Sequence, residues 1–175
     1  MRSFNEVEMR IREFSPELDS DVVRTCICEL QDFGRAQDAR MPPGRQISSR
    51  YLADLQEKCA MWKGAIFVAE SGGQVVGFIS VLAAVPVAEP LDGVTEEARV
   101  VDLYVADSAR GLGLGKMLMT RAVSFVASHS ARWLRVSVFA QNTSALEMYK
   151  KFGFSELELS LELDLKSQRL AQETP

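Results

Sequence analysis

The chain has 175 residues, 47% of them apolar, which suits one globular domain with its own core. A net charge of −4 argues against a nucleic-acid binder driven by bulk charge, and three cysteines with a single histidine argue against a disulfide framework or a usual Cys/His zinc site. The first thirty residues carry charges throughout and no run approaches the ~20 apolar residues of a membrane span, so a cytoplasmic protein without metal, nucleic acid or membrane partner is expected.

Residues 8–14, EMRIREF, alternate apolar and charged side chains and predict a half-buried strand. Ser15-Pro16 opens a helical pattern to about Gln37, with Val22, Val23, Cys26, Ile27 and Leu30 on one stripe. Cys26 and Cys28 point to nearly opposite sides of such a helix, and with Cys59 they read as small apolar residues. MPPG (41–44) is a breaker, and a second helix is predicted from about Ser48 to Trp62. AIFVAE (65–70) and QVVGFISVLAAV (74–85), joined by Ser71-Gly72-Gly73, predict a hairpin. PVAEPLDGVTEEA (86–98), with two prolines and four acidic residues, reads as a loop.

RVVDLYVA (99–106) predicts a strand, followed by ARGLGLGK (109–116) and a helix to about Ser130 that buries Leu114, Leu118, Ala122, Phe125 and Val126. RWLRVSVFA (132–140) predicts a strand, TSALEMYKKF (143–152) a short helix closed by Gly153, and FSELELSLEL (154–163) a last strand before a polar tail. The order β-α-α-β-β-β-α-β-α-β combines a hairpin with a strand–helix–strand unit, so the class is α/β or α+β with a mixed sheet. A single domain over 1–175 is expected, with its core at about 8–164.

The glycine loop lies between a strand's carboxyl end and a helix's amino end, where open sheets place ligand crevices. A dinucleotide fingerprint G-x-G-x-x-G fails, because its third position falls on Lys116 or Leu118. A P-loop fails too: Met117 follows Gly115-Lys116, and Arg110 stands where the first glycine belongs. Anion binding remains. The first N–H groups of a helix lack internal partners, the helix dipole is positive there, and glycines let a pyrophosphate approach. Arg110 and Lys116 add charge. The bland alternative is a plain strand-to-helix turn.

Arg110-x-x-Gly113-x-Gly115 resembles the Q/R-x-x-G-x-G/A motif of the GNAT superfamily of N-acetyltransferases. NTSALEMYKKFGF (142–154) resembles that family's next signature, N-x-x-A-x-x-x-Y-x-x-x-G-F, one strand further on. The resemblance implies an acyl-CoA N-acyltransferase fold: a central, mostly antiparallel sheet whose fourth and fifth strands splay apart around acetyl-CoA. It implies that backbone groups of Leu103, Tyr104 and Val105 bond the pantetheine arm, and that Gly111, Leu112, Gly113, Leu114, Gly115 and Lys116 cradle the pyrophosphate beside Arg110. Asn142 matches a cofactor-contacting position, although asparagine is equally a good helix N-cap.

Tyr149 matches the family's usual general acid. A phenol of pKa ~10 keeps its proton at neutral pH and can donate to a departing thiolate, although the same ring also suits core packing. An acceptor amine of pKa ~10.4 must lose a proton before it attacks. Asp102, an acid inside a strand, is the first candidate for that base; Glu96, Glu97 and a water relay are alternatives. The acceptor, a small-molecule or peptide amine, would meet the first two helices and the 86–98 segment. Acidic Glu89, Asp92, Glu96 and Glu97 there suit a cation, whereas Arg35, Arg40, Arg45 and Arg50 suit a carboxylate. The expected reaction is direct acetyl transfer in a ternary complex; the alternative is a non-catalytic acyl-CoA-binding or regulatory module. A homodimer through FSELELSLEL is a further expectation.

Overall fold

The computed structural model describes residues 8–91 and 93–165. In chain order they form β1 (Met9–Glu13), α1 (Pro16–Gln37), α2 (Gly44–Met61), β2 (Ala65–Ser71), β3 (Gln74–Leu91), β4 (Val94–Val105), α3 (Leu114–Ala127), β5 (Leu134–Val136) and α4 (Thr143–Phe152). The strands make one five-stranded sheet in sequential order. Every neighbouring pair is antiparallel except β4 and β5, which are parallel and joined through α3. Among the described residues no helix is long and apolar enough to cross a membrane.

Each face of the sheet has its own core. On one, Val23, Cys26 and Ile27 of α1 and Leu52 and Leu55 of α2 pack on Val68, Phe78 and Tyr104. On the other, Leu114, Leu118, Ala122 and Val126 of α3 pack with Tyr149 of α4 on Phe67, Ile79, Val81 and Val100. Phe125 joins this second core only partly buried. The α1 start is fixed by Pro16 in its first turn and by Asp19, which is 2% exposed. Asp19 accepts the Ser15 N–H at 2.8 Å and both Arg12 Nη groups at 2.6 and 2.8 Å, tying β1 to the helix. That paired guanidinium holds the Asp19 carboxyl below the usual carboxylate range.

Four sequence expectations need correction. Residues 86–98 are not a loop: β3 runs on to Leu91 and β4 starts at Val94, so the segment is the far end of their hairpin. Asp92-Gly93 is a hairpin signature, and Gly93 has φ 74°. Proline disfavours a strand interior, but Pro86 is tolerated because β2 pairs with β3 only as far as Val81, leaving the rest of β3 without a strand on that side among the described residues. The strand expected at 132–140 is only Leu134–Val136.

Residues 154–163 form no strand. Their alternation records an apolar face, but no edge among the described residues pairs with them. Leu157, Leu159, Leu161 and Leu163 are all exposed. The second helix also begins earlier than expected, at Gly44 immediately after Pro43.

Candidate active site

The site begins with a defect in β4. Val81 pairs with Val100, but the next residue back, Ser80, pairs with Asp102. Val101 is therefore an extra residue, a β-bulge, and it switches which side chains face which layer. Before it, Ala98 and Val100 face the α3 core; after it, Tyr104 faces the α1–α2 core and Leu103 the α3 side. The last β4–β5 pair is Val100 with Val136. Beyond the bulge β4 continues to Val105 while β5 ends at Val136, so this part of the β4 edge has no strand partner among the described residues. Ala106 N–H donates to Val76 on β3 at 2.8 Å. Alternation along the strand then turns the backbone groups of Leu103 and Val105 to this unpaired side, with Tyr104 between them.

Asp102, in the strand interior, is 8% exposed and has both carboxylate oxygens engaged. Tyr51 Oη donates to Oδ1 at 2.8 Å, and Ser80 Oγ donates to Oδ2 at 2.7 Å. Ser80 Oγ in turn accepts the Asp102 backbone N–H at 3.0 Å, so a fully buried hydroxyl locks the bulge. Burial pushes the Asp102 carboxyl up, against these two hydrogen bonds and the Lys58 charge. Two residues further along the strand, Tyr104 donates to Glu29 of α1. Tyr51 and Ser80 were not singled out from sequence. Tyr51 reads as a core-facing helical residue in SSRYLADL; Ser80, one polar side chain inside the apolar run VVGFISVLAAV, was a usable signal.

The alternative bases fare differently. Glu97 is 2% exposed and sits between Arg99 Nε and Arg135 Nε, each at 2.7 Å, where it clamps the paired part of β4 and β5. Glu96 is exposed on the hairpin. Among the arginines, Arg40 is held by Asp38 and by Glu162, and Arg50 lies 3.7 Å from Asp54.

After β4, a 3₁₀ turn (Asp107–Ala109) leads into the glycine loop. Gly113 is the N-cap of α3 with φ 84°, a left-handed conformation that glycine adopts without strain. A Cβ at Gly111 or Gly113 would meet no atom within 4 Å, so the space beside the loop backbone is open there. The first bond inside α3 runs from Met117 N–H to Gly113 C=O at 3.0 Å, which leaves the N–H groups of Leu114, Gly115 and Lys116 outside the helical ladder. The Arg110 side chain turns back on the loop: its Nε donates to Val105 C=O at 3.1 Å and its Nη1 pairs with Asp107 at 2.8 Å.

Asn142 caps α4, its Oδ1 accepting the Ala145 N–H at 3.2 Å. Tyr149 is buried in the α3-side core. At the end of α4 the chain turns through Gly153, and Phe154 N–H returns to Tyr149 C=O at 3.0 Å. The Phe154 ring then packs edge-on against Tyr149, 5.6 Å between centroids, and fixes its direction. Among the described residues nothing hydrogen-bonds Tyr149 Oη, and no buried side-chain oxygen lacks both a partner and solvent, so the hydroxyl reaches open space. Burial, with a smaller contribution from the Asp102 charge, pushes Tyr149 up to about 12.

The family model described as Acetyltransferase (GNAT) family matches residues 31–154, from the middle of α1 through Phe154. The chain belongs to the GNAT acetyltransferase family. Among the relatives of this GNAT chain is rat (Rattus norvegicus) N-acetyltransferase family 8 member 2, 32% identical over 105 residues, which are 60% of this chain and 45% of that protein. Mycothiol acetyltransferase of Amycolatopsis mediterranei is 29% identical over 155 residues, 87% of this chain and 48% of that one. The chain thus spans about half the length of these relatives. The solved structure of AAC(6')-Iy in complex with a bisubstrate analog, CoA-S-monomethyl-acetylneamine, shares the fold at a TM-score of 0.67 with 18% identity, covering 90% of this chain and 97% of that one.

Proposed function

We propose that this GNAT chain is a cytoplasmic, acetyl-CoA-dependent N-acetyltransferase that transfers acetyl directly to a primary amine within a ternary complex. The observation that carries the reading is that β4 runs on past its last pair with β5, at Val100, and leads to the glycine-lined start of α3. These residues fit coenzyme A. The turned-out backbone of Leu103 and Val105, either side of Tyr104, suits the amides of a pantetheine arm laid down like an added strand. Open space beside Gly111 and Gly113, with Leu112 exposed between them and the N–H groups of Leu114, Gly115 and Lys116 following, suits a pyrophosphate. Arg110 stiffens this loop and adds positive charge, and Asn142 lies at the start of the next helix.

Bound acetyl-CoA supplies an activated carbonyl and a thiol leaving group. Val105 N–H, on the unpaired side, is placed to take negative charge developing on that carbonyl oxygen. Tyr149 Oη holds a proton for the departing sulfur, and the raised pKa keeps it there throughout the neutral range. Asp102 is the terminal acceptor for the amine's proton; Glu97 is excluded by its two arginine partners. The acceptor side is the face of α1, α2 and the β3–β4 hairpin. A small-molecule or peptide amine is the substrate class.

The exposed leucines from Leu157 to Leu165 add a homodimer to this reading, since a second copy would bury them at ~25 cal/mol per Å². A single monomeric species in size-exclusion chromatography with light scattering would remove the dimer.

The catalytic reading is tested by thiol release from acetyl-CoA across a panel of primary amines, with mass spectrometry of the products. Amine-dependent release with a stoichiometric N-acetyl product is expected. Tight CoA binding without turnover on any amine overturns it in favour of a non-catalytic acyl-CoA-binding module.

A further inference from the structure

We infer that Tyr51 is a catalytic residue: its hydroxyl meets the acceptor amine on the α2 face and relays the amine's proton to Asp102. The inference rests on the N-acetyltransferase reading and goes beyond it by giving the buried base an entrance.

Asp102 cannot serve as a free-standing base, because it is 8% exposed and each oxygen already has a donor. The two donors are not equivalent. Ser80 is fully buried, and its oxygen also accepts the Asp102 backbone N–H, so that direction is closed. Tyr51 is half-buried and lies on α2, one of the two helices on the acceptor side of β4. Of the two side chains on the carboxylate, only Tyr51 also reaches solvent. Its hydroxyl donates to Oδ1 at 2.8 Å and keeps oxygen lone pairs with which to accept from a cationic amine.

The proton step balances without a phenolate. The N–H bond of the ammonium breaks as its proton bonds to Tyr51 Oη. The original Oη–H proton passes to Asp102 Oδ1, and the nitrogen lone pair is released for attack. Tyr51 ends neutral, Asp102 ends neutral, and the positive charge on nitrogen is gone. After product leaves, the proton returns through Tyr51 to water.

The surrounding charges agree with this direction. Burial and the Asp102 charge push the Tyr51 phenol well above its ordinary range, which disfavours a free phenolate and favours concerted relay. Burial likewise raises Asp102 and makes it a better proton acceptor. The other titratable groups that sense this carboxylate are Lys58 and Cys59 of α2 and Tyr149 of α4. Cys59 is pushed up to about 11 and stays a thiol. Tyr149 is raised partly by the Asp102 charge, so the proton that neutralises Asp102 also makes Tyr149 readier to donate to the leaving sulfur.

The test is Tyr51→Phe, assayed with the best amine of the panel between pH 7 and 10, with its thermal melt recorded. At pH 7 we expect kcat to fall about 10²-fold or more, within the usual general-base range, with KM for acetyl-CoA unchanged. The deficit should shrink about tenfold per pH unit as the solution approaches the amine's own pKa of about 10.4, where no base is needed. A deficit constant across that range marks a merely structural residue and overturns the relay, as does an unchanged rate. Should Tyr51→Phe not fold, Asp102→Asn is read by the same profile. A wild-type protein inactive on every amine brings down the acetyltransferase reading itself and the relay with it, an outcome distinct from an active wild type with a flat deficit.

Discussion

Asp102 and Tyr149 lie on different layers of the sheet, the acid of β4 turned toward Tyr51 of α2 and the phenol of α4 held in the α3 core. Replacing Tyr149 by Phe keeps the ring against Phe154 and removes only the hydroxyl. We expect kcat to fall about 10²–10⁴-fold with CoA affinity little changed, read by steady-state kinetics and calorimetry. An unchanged rate would take Tyr149 out of the mechanism. In the proposed mechanism the proton-bearing form of Tyr149 is the active one, and its pKa is pushed up to about 12, so the rate should show no alkaline fall from this group below pH 10. A falling limb near pH 9 that disappears in Tyr149→Phe would contradict that.

Asp102 makes a prediction of opposite kind. Its native pKa is raised above the unfolded value of about 3.9, so the ionised carboxylate opposes folding once pH exceeds that range. Asp102→Asn should therefore raise the melting temperature at pH 8, relative to wild type, by more than at pH 4, while activity falls. A lower melting temperature at pH 8 would show that the hydrogen bonds to Tyr51 and Ser80 outweigh the buried charge.

At the scale of the element, two backbone features make the site: the bulge at Val101 and the left-handed cap at Gly113. Gly113→Val places a β-branched side chain at φ 84°, a strain of about 1–3 kcal/mol. It should lower the melting temperature and weaken CoA binding together; full CoA affinity in a folded variant would sink the pyrophosphate assignment. The glycine loop was legible because its glycines and the following helix are local signals, as was Gly153-Phe154 behind Tyr149. The bulge was not. VVDLYV alternates well enough to read as a regular strand, and the extra residue emerges only from pairing with β3. The Ser80–Asp102–Tyr51 cluster joins positions 22 and 51 residues apart, which no local spacing reveals.

Across the whole molecule, periodicity located all nine helices and strands among the described residues, because each buries one face in one of two cores. It failed where a pattern and a partner part company. FSELELSLEL has the alternation of a strand without a neighbouring edge to complete it, and the proline-bearing 86–98 segment has the edge position that tolerates what the pattern forbids.

The proposed coenzyme A site runs from the β4 edge past Val100 to the α3 start and the α4 cap. Titrating ¹⁵N-labelled protein with CoA and following backbone amides tests that site most directly. The account predicts that Leu103, Val105, Gly113, Gly115, Lys116 and Asn142 shift together along one binding curve while amides of β1 and β2 stay in place. Saturable binding that moves β1 or α1 and leaves the α3 start untouched would contradict it.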